Sequence, residues 1–220
     1  MFDLIQCLIQ RDFSYATQDV RDAYAIVRAS LLSSKYTKVV LIAHSQGGIE
    51  VALIVDWLLD EIPQELLSKL EIYTFGNAAN HFNNPYRTIS GAQRDDANGM
   101  KHQVQQCSED RDHTILHIEH YANSGDFVSR WGVLNFANIR NRYIGHVFIR
   151  HGSGHLFNQH YLGSMFPFGP DRAVLDSNSF VESEIEVPTF GQKGQKAPIR
   201  RVKIKELSRL WLYRNGGSPE

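Results

Sequence analysis

The sequence predicts an α/β protein with a mostly parallel sheet. Short runs rich in Val, Ile and aromatic residues, such as "VVLIAH" and "LEIYTF", alternate with longer segments of helical spacing. Such alternation is typical of a parallel sheet covered by helices. The 220 residues, 42% hydrophobic and 21% charged, suffice for one globular core and exclude disordered and collagen-like classes.

The first predicted elements are a helix, a strand and a second helix. Over 17–34, apolar side chains recur at helical spacing, and Thr17 is a candidate N-cap. The run 38–44 is too short for an independent helix and predicts a strand buried on both faces. The segment 47–59 is apolar almost all round, which predicts a deeply packed helix that ends before Pro63.

Three more strands are predicted, over 70–75, 113–121 and 142–150. The polar, aperiodic stretch 78–112 predicts a loop excursion, for which a lid over the site and a segment without a role are both open. A helix over 156–165 follows the last strand.

The composition changes near residue 170. We predict an α/β domain over 1–169 and a C-terminal arm over 170–220, in which "RVKIKELSRLWLYR" forms a basic amphipathic helix. The basic residues of 193–214 permit peripheral contact with an anionic membrane. A helix docked on the domain with a solvated basic face is the alternative that we favour.

Charge and cysteine content exclude several classes. The net charge of -1 gives no global attraction to nucleic acid, and no nucleic-acid motif is present. Cys7 and Cys107 form neither a disulfide framework nor a zinc spacing, so we predict no metal or other cofactor. Asp3 stands where a signal peptide carries basic residues, and no stretch is long enough to span a membrane. We therefore expect a soluble, cytoplasmic protein.

The stretch "VVLIAHSQGGIE" turns from a strand into a helix at Ser45. A nucleophile on such a turn has a strained backbone, and the residues two before and two after it must be small. Ala43 and Gly47 meet this need, and Gly48 extends the permissive stretch. From these residues alone, Ser45 is either a nucleophile or the N-cap of the next helix.

"LIAHSQGG" resembles the nucleophile elbow of the α/β-hydrolase superfamily, in particular its lipase- and esterase-like serine hydrolases, with Ala43 in place of the usual glycine. The resemblance covers roughly 17–165. It implies a three-layer α/β-hydrolase-like sandwich and a carboxylic ester, either a small molecule or a lipid, as substrate. It also implies that the backbone N–H of Gln46 contributes to an oxyanion hole, and that His44 has a packing role.

The resemblance further implies the chain order serine, acid, histidine. Asp126 follows the third predicted strand and His155 the fourth, so both occur where this order requires them. Taken alone, an Asp after Asn-Ser-Gly favours a turn residue that hydrogen-bonds its own backbone. Among the later histidines we choose His155, which follows the flexible "GSG", and keep His151 in reserve. Glycines between these two histidines disfavour a helical metal site.

The start of the chain is short for this fold. Only 38 residues precede the strand before Ser45, whereas several strands normally come first and supply a second oxyanion donor. We therefore expect N-terminal strands to be missing and hypothesise that Met1 is internal to a longer protein. A truncated, catalytically silent binding module and a minimal hydrolase with another donor are the alternatives. Hydrolysis and acyl transfer are not distinguished.

Overall fold

The structure is a computed structural model that describes residues 2–87, 113–188 and 199–219. Its main sheet has four parallel strands in the order β1-β2-β3-β4, which span Val39–His44, Leu70–Phe75, His117–Asn123 and His146–Arg150. Among the described residues, helices lie between β1 and β2 and between β3 and β4. The predicted α/β class and the parallel sheet are therefore confirmed.

Three helices precede or follow β1. They are α1 over Phe2–Phe13, α2 over Gln18–Leu32 and α3 over Gly47–Glu61. The periodicity predicted α2 and α3, whereas it did not predict α1. Side chains of α2 and α3, such as Leu31 and Ile54, pack with Ile72 of β2 in one core on the first face of the sheet.

The other helices are short. They are Gln64–Leu67, Phe127–Trp131, Val133–Phe136 and Ile204–Leu207, a π-helix over Phe157–Leu162 that continues as an α-helical turn over Gly163–Met165, and a 3-10 helix over Leu210–Gly216. The helix predicted over 156–165 is thus present, mostly in π form.

The register of the sheet brings the carboxyl ends of its strands to one edge. His44 pairs with Phe75, Phe75 with Tyr121, and Asn123 with Arg150. The segments that follow the four strands therefore leave the sheet at the same edge, which is where α/β proteins bind ligands.

The C-terminal residues cover the second face of the sheet. Phe180 and Trp211 are buried in an aromatic cluster with Tyr73, Phe75 and Tyr121 of β2 and β3. Residues on both sides of the predicted boundary at 169 share this cluster. The described C-terminal residues therefore pack on the sheet.

The prediction of one basic amphipathic helix near the C-terminus is wrong. β6 over Ile199–Lys203 extends into the range of the predicted helix, pairs antiparallel with β5 over Glu184–Pro188 and leads into the short helices. Val202 is buried between the exposed Arg201 and the partly exposed Lys203, which is the two-residue period of a strand.

Two buried glutamates of the sheet bind the C-terminal segment. Arg209 Nε lies 2.8 Å from Glu71 Oε1, and the backbone N–H of Leu210 donates to Glu119 Oε2 at 3.2 Å. Burial raises the pKa of Glu71, but hydrogen bonds from two tyrosines and Arg209 outweigh it, so the pKa lies below its ordinary value. For Glu119, burial prevails and raises the pKa.

β1 lies at the edge of the described sheet and one of its faces is exposed, so the prediction that it is buried on both faces is wrong. Ala43 is buried on the side of α3, whereas Val40 and Ile42 are 42% and 54% exposed on the other side. Among the described strands, β1 pairs only with β2.

β3 and β4 begin later than predicted, at residues 117 and 146. Isolated bridges replace the expected strand starts, and they join Tyr86 to His113 and Phe82 to Tyr143. The first part of the predicted loop, 78–87, thus packs beside the amino ends of these strands.

Several predictions fall outside the described residues. They concern 88–112, which includes Cys107 and most of the loop excursion, and 189–198, which includes Lys193 and Lys196 of the basic segment. The lid and membrane-contact hypotheses therefore stay predictions. Within the described ranges, no helix has the length and apolar character needed to cross a membrane.

Candidate active site

Ser45 lies on a sharp turn between β1 and α3. Its φ of 59° is in the left-handed region, which is strained for a residue with a side chain. The backbone N–H donates to Phe75 O at 3.0 Å, and the carbonyl accepts from the N–H groups of Gly48 and Ala78. The N-cap of α3 is Gln46, so the alternative that Ser45 caps this helix is wrong.

In this turn, Gly48 is the position that requires a glycine. A Cβ atom at Gly48 would lie 2.0 Å from Asn77 Oδ1, whereas one at Gly47 would lie 3.7 Å from Ala43 Cβ, an ordinary contact. The alanine at position 43 is therefore compatible with the close approach of strand and helix.

His155 reaches Ser45 from the loop after β4. Its Nε2 lies 2.8 Å from Ser45 Oγ, and its side chain is 32% exposed. Gly154 has a φ of 98°, and a Cβ there would lie 2.3 Å from the His160 ring, so only glycine fits. The Asn123 side-chain amide donates to the Gly154 carbonyl at 3.0 Å and ties this loop to the end of β3.

Asp126 approaches His155 from the loop after β3. Its Oδ2 lies 2.8 Å from His155 Nδ1, and its Oδ1 accepts the Val128 N–H at 2.9 Å as the N-cap of the helix Phe127–Trp131. The carboxyl group is 1% exposed. One oxygen therefore bonds the local backbone, as a turn residue does, while the other holds the histidine.

Two further groups bond the same carboxylate oxygen. Tyr161 Oη donates to Asp126 Oδ2 at 2.6 Å, and Ser129 Oγ donates at 3.1 Å. Burial raises the pKa of Asp126, but the hydrogen bonds from His155 and Tyr161 outweigh it and lower the pKa. Burial and the bond to Asp126 raise the pKa of Tyr161, which keeps its hydroxyl a donor. Asp126 is thus a carboxylate at neutral pH.

These contacts form one chain of hydrogen bonds from Asp126 through His155 to Ser45. A carboxylate only accepts, so Nδ1 of His155 carries the proton and Nε2 is left to accept from the serine hydroxyl. A proton can therefore pass from Ser45 to His155 while the charge that forms on the imidazole faces Asp126. The structure brings together the three side chains that the sequence selected.

Gln46 has the backbone position expected of an oxyanion donor. It lies at the amino end of α3, and its backbone N–H donates no hydrogen bond to another described residue. The amino end of a helix favours negative charge. The side chain of Gln46 donates to Gln10 Oε1 of α1, so α1 packs beside the elbow. No second backbone donor was predicted from the sequence.

The reserve histidine does not reach the serine. His151 is exposed, and no hydrogen bond joins it to Ser45 among the described contacts. His146 is buried and stacks on Phe148. The described residues contain no cluster of three or more His, Cys, Asp or Glu side chains that could hold a metal ion.

Sequence reasoning missed Tyr161 and Ser129. Gly76 directly follows β2 with a φ of 55°, and a Cβ there would lie 3.0 Å from both Asp126 Oδ2 and Tyr161 Oη. A glycine directly after a strand was the available signal for it. Tyr161 and Ser129 gave no signal, because their contacts depend on how the π-helix and the loop after β3 pack.

Comparison with protein-family models, curated proteins and solved structures found no match to this chain.

Proposed function

We propose that this chain is a serine hydrolase that cleaves carboxylic esters through an acyl-enzyme on Ser45, on an α/β-hydrolase-like scaffold. The observation that carries the proposal is the hydrogen-bonded series Asp126, His155, Ser45, in which the serine has a left-handed backbone between a strand and a helix. The geometry of the turn at Ser45, the chain order of the three residues and their hydrogen-bonded series all support the proposal.

Acylation follows from the chemistry of the three groups. Ser45 Oγ attacks the ester carbonyl carbon while His155 Nε2 takes the hydroxyl proton. Asp126 stabilises the imidazolium that forms. The Gln46 N–H and the amino end of α3 stabilise the negative oxygen of the tetrahedral intermediate. His155 then gives the proton to the leaving alcohol oxygen, and the acyl group stays on Ser45.

Deacylation reverses these roles. His155 Nε2 takes a proton from a water molecule, whose oxygen attacks the acyl carbonyl carbon. The bond between that carbon and Ser45 Oγ then breaks, His155 returns the proton to Ser45 Oγ, and the acid is released. The partial exposure of His155 lets such an acceptor reach the acyl group from solvent. An alcohol acceptor in place of water would make the same residues an acyltransferase, so product analysis decides between the two.

Hydrolysis of short p-nitrophenyl esters tests the proposal. We expect turnover by the wild-type chain and a fall of at least about a thousandfold in kcat for Ser45→Ala and for His155→Gln. Ser34→Ala, at an exposed position outside the site, is the matched control and should keep full activity. Folded wild-type protein without activity would overturn the proposal and favour a catalytically silent binding module.

A further inference from the structure

His44 directly precedes Ser45 and contacts His155. It is the last residue of β1, and its ring centroid lies 4.6 Å from that of His155, 5.5 Å from Phe157 and 6.0 Å from Tyr161. Besides this packing, His44 Nε2 lies 2.7 Å from the backbone carbonyl oxygen of His155. The resemblance implied only a packing role for His44, and this hydrogen bond goes beyond packing.

The carbonyl partner fixes the protonation of His44. A carbonyl oxygen only accepts, so Nε2 of His44 carries the hydrogen. Burial is the main cause that lowers the pKa of His44, and the nearby His155 lowers it further, against the raising effect of the backbone bond. His44 is therefore neutral near pH 7. It can stay close to His155 while the latter carries the positive charge of the reaction.

We propose that His44 is a positioning residue that fixes the backbone of His155 and thereby sets the distance between the base and Ser45. This inference rests on the proposed function. Asp126 orients the His155 ring and Asn123 holds the preceding carbonyl of Gly154. The hydrogen bond from His44 is the contact that ties the His155 backbone itself to the elbow.

The arrangement couples two residues that are far apart in the sequence. The Ser45 hydroxyl forms a hydrogen bond with the side chain of His155, and His44 forms one with the backbone carbonyl of the same histidine. The loop that carries His155 contains Gly152 and Gly154, whose freedom would otherwise let the histidine shift. Small displacements of reacting groups are costly, because efficient proton transfer requires a short, aligned hydrogen bond.

The test compares two substitutions with the wild type. His44→Phe keeps an aromatic ring against Phe157 and Tyr161 but has no donor. His44→Gln keeps a donor, because its Nε2 is the same number of bonds from Cβ as the histidine Nε2. We measure kcat and KM on a p-nitrophenyl ester, together with thermal unfolding of each variant.

We expect kcat of His44→Phe to fall about five- to tenfold with KM little changed, since one hydrogen bond that positions the base is lost. His44→Gln should regain most of this loss. A purely structural role would not respond to the restored donor. If His44→Phe does not fold, His44→Asn replaces it, because its shorter amide cannot reach the carbonyl.

Two results would overturn the inference. One is a His44→Phe enzyme as fast as the wild type, and the other is a His44→Gln enzyme as slow as the donor-free variant. Both require an active wild-type protein, so they are distinct from failure of the proposed function. An inactive wild type, with Ser45→Ala no slower, overturns the proposed function and the role of His44 with it.

Discussion

Single residues of the elbow show where its geometry is restrictive. Ser45 has a left-handed backbone because strand, turn and helix close around it, and Gly48 is the residue whose missing side chain allows this closure. Gly47 has room for a methyl group beside Ala43. A pattern of small residues predicts such a turn, but it does not reveal which of two adjacent glycines faces the Asn77 side chain of another loop.

We predict opposite outcomes for the two neighbouring glycines. Gly48→Ala should destabilise the fold by about 2–3 kcal/mol, because its methyl group would overlap the buried Asn77 side chain. Gly47→Ala, at the start of α3, should be neutral or stabilising by up to about 1 kcal/mol. Urea unfolding of both variants measures this difference. Equal loss of stability would contradict the assignment.

The site itself could be predicted at this scale only in part. Ser45, Asp126 and His155 follow β1, β3 and β4, so the chain order that the α/β-hydrolase resemblance implies selected them. The hydrogen bonds of Tyr161 and His44 arise from contacts between loops that are distant in the sequence. Periodicity and local motifs carry no information about such contacts.

Among the elements, the C-terminal segment departs most from prediction. Its apolar residues were assigned to one face of a helix, yet Val202 belongs to a strand, Ile204 begins a short helix and Trp211 lies in a 3-10 helix. The spacing of apolar residues in a short segment fits both periods. Pairing with β5 and burial against the sheet decide between them, and neither is visible in the local sequence.

If this segment is part of the core, Trp211 must contribute to stability. Trp211 is 4% exposed, whereas its neighbour Leu212 is 47% exposed. We expect Trp211→Ala to lower the free energy of unfolding by about 3–5 kcal/mol. Leu212→Ala, the matched control, should change it by about 0.5 kcal/mol or less. Chemical denaturation of both variants measures this, and a harmless Trp211→Ala would mean that the segment is not docked.

For the molecule as a whole, the sequence predicted the α/β class and the parallel sheet better than the exposure of single strands. The apolar runs before Ser45 and Gly76 predicted β1 and β2 with nearly their observed bounds, because β-branched residues followed by glycine-containing turns leave few alternatives. The exposed face of β1 was not foreseen. A strand at an edge and one in the centre can share the same local composition, and their neighbours lie elsewhere in the chain.

The buried carboxylates predict how global stability depends on pH. The folded pKa of Glu71 is lowered, so its stabilising contribution is complete above the unfolded pKa of about 4.3 and is lost as the pH falls through the folded pKa. Wild type should therefore exceed Glu71→Gln in stability at pH 7 by a margin that shrinks below about pH 4. Denaturation at pH 7, 5, 4 and 3 measures this margin.

The comparison must be made between variants, because burial shifts the pKa of Glu119 upward, opposite to the shift at Glu71. Glu65→Gln, at an exposed position, controls for the loss of one carboxylate. A margin between wild type and Glu71→Gln that stays constant or grows as the pH falls would contradict the role given to Glu71.

The central claim is that Asp126 and His155 activate Ser45 above every other serine of the chain. Reaction with a fluorophosphonate, followed by intact mass and peptide mapping, tests it most directly. We predict a single added phosphonyl group, located on Ser45, and no labelling of Ser45→Ala. Folded wild-type protein that stays unlabelled, or labelling that persists in Ser45→Ala, would contradict the account.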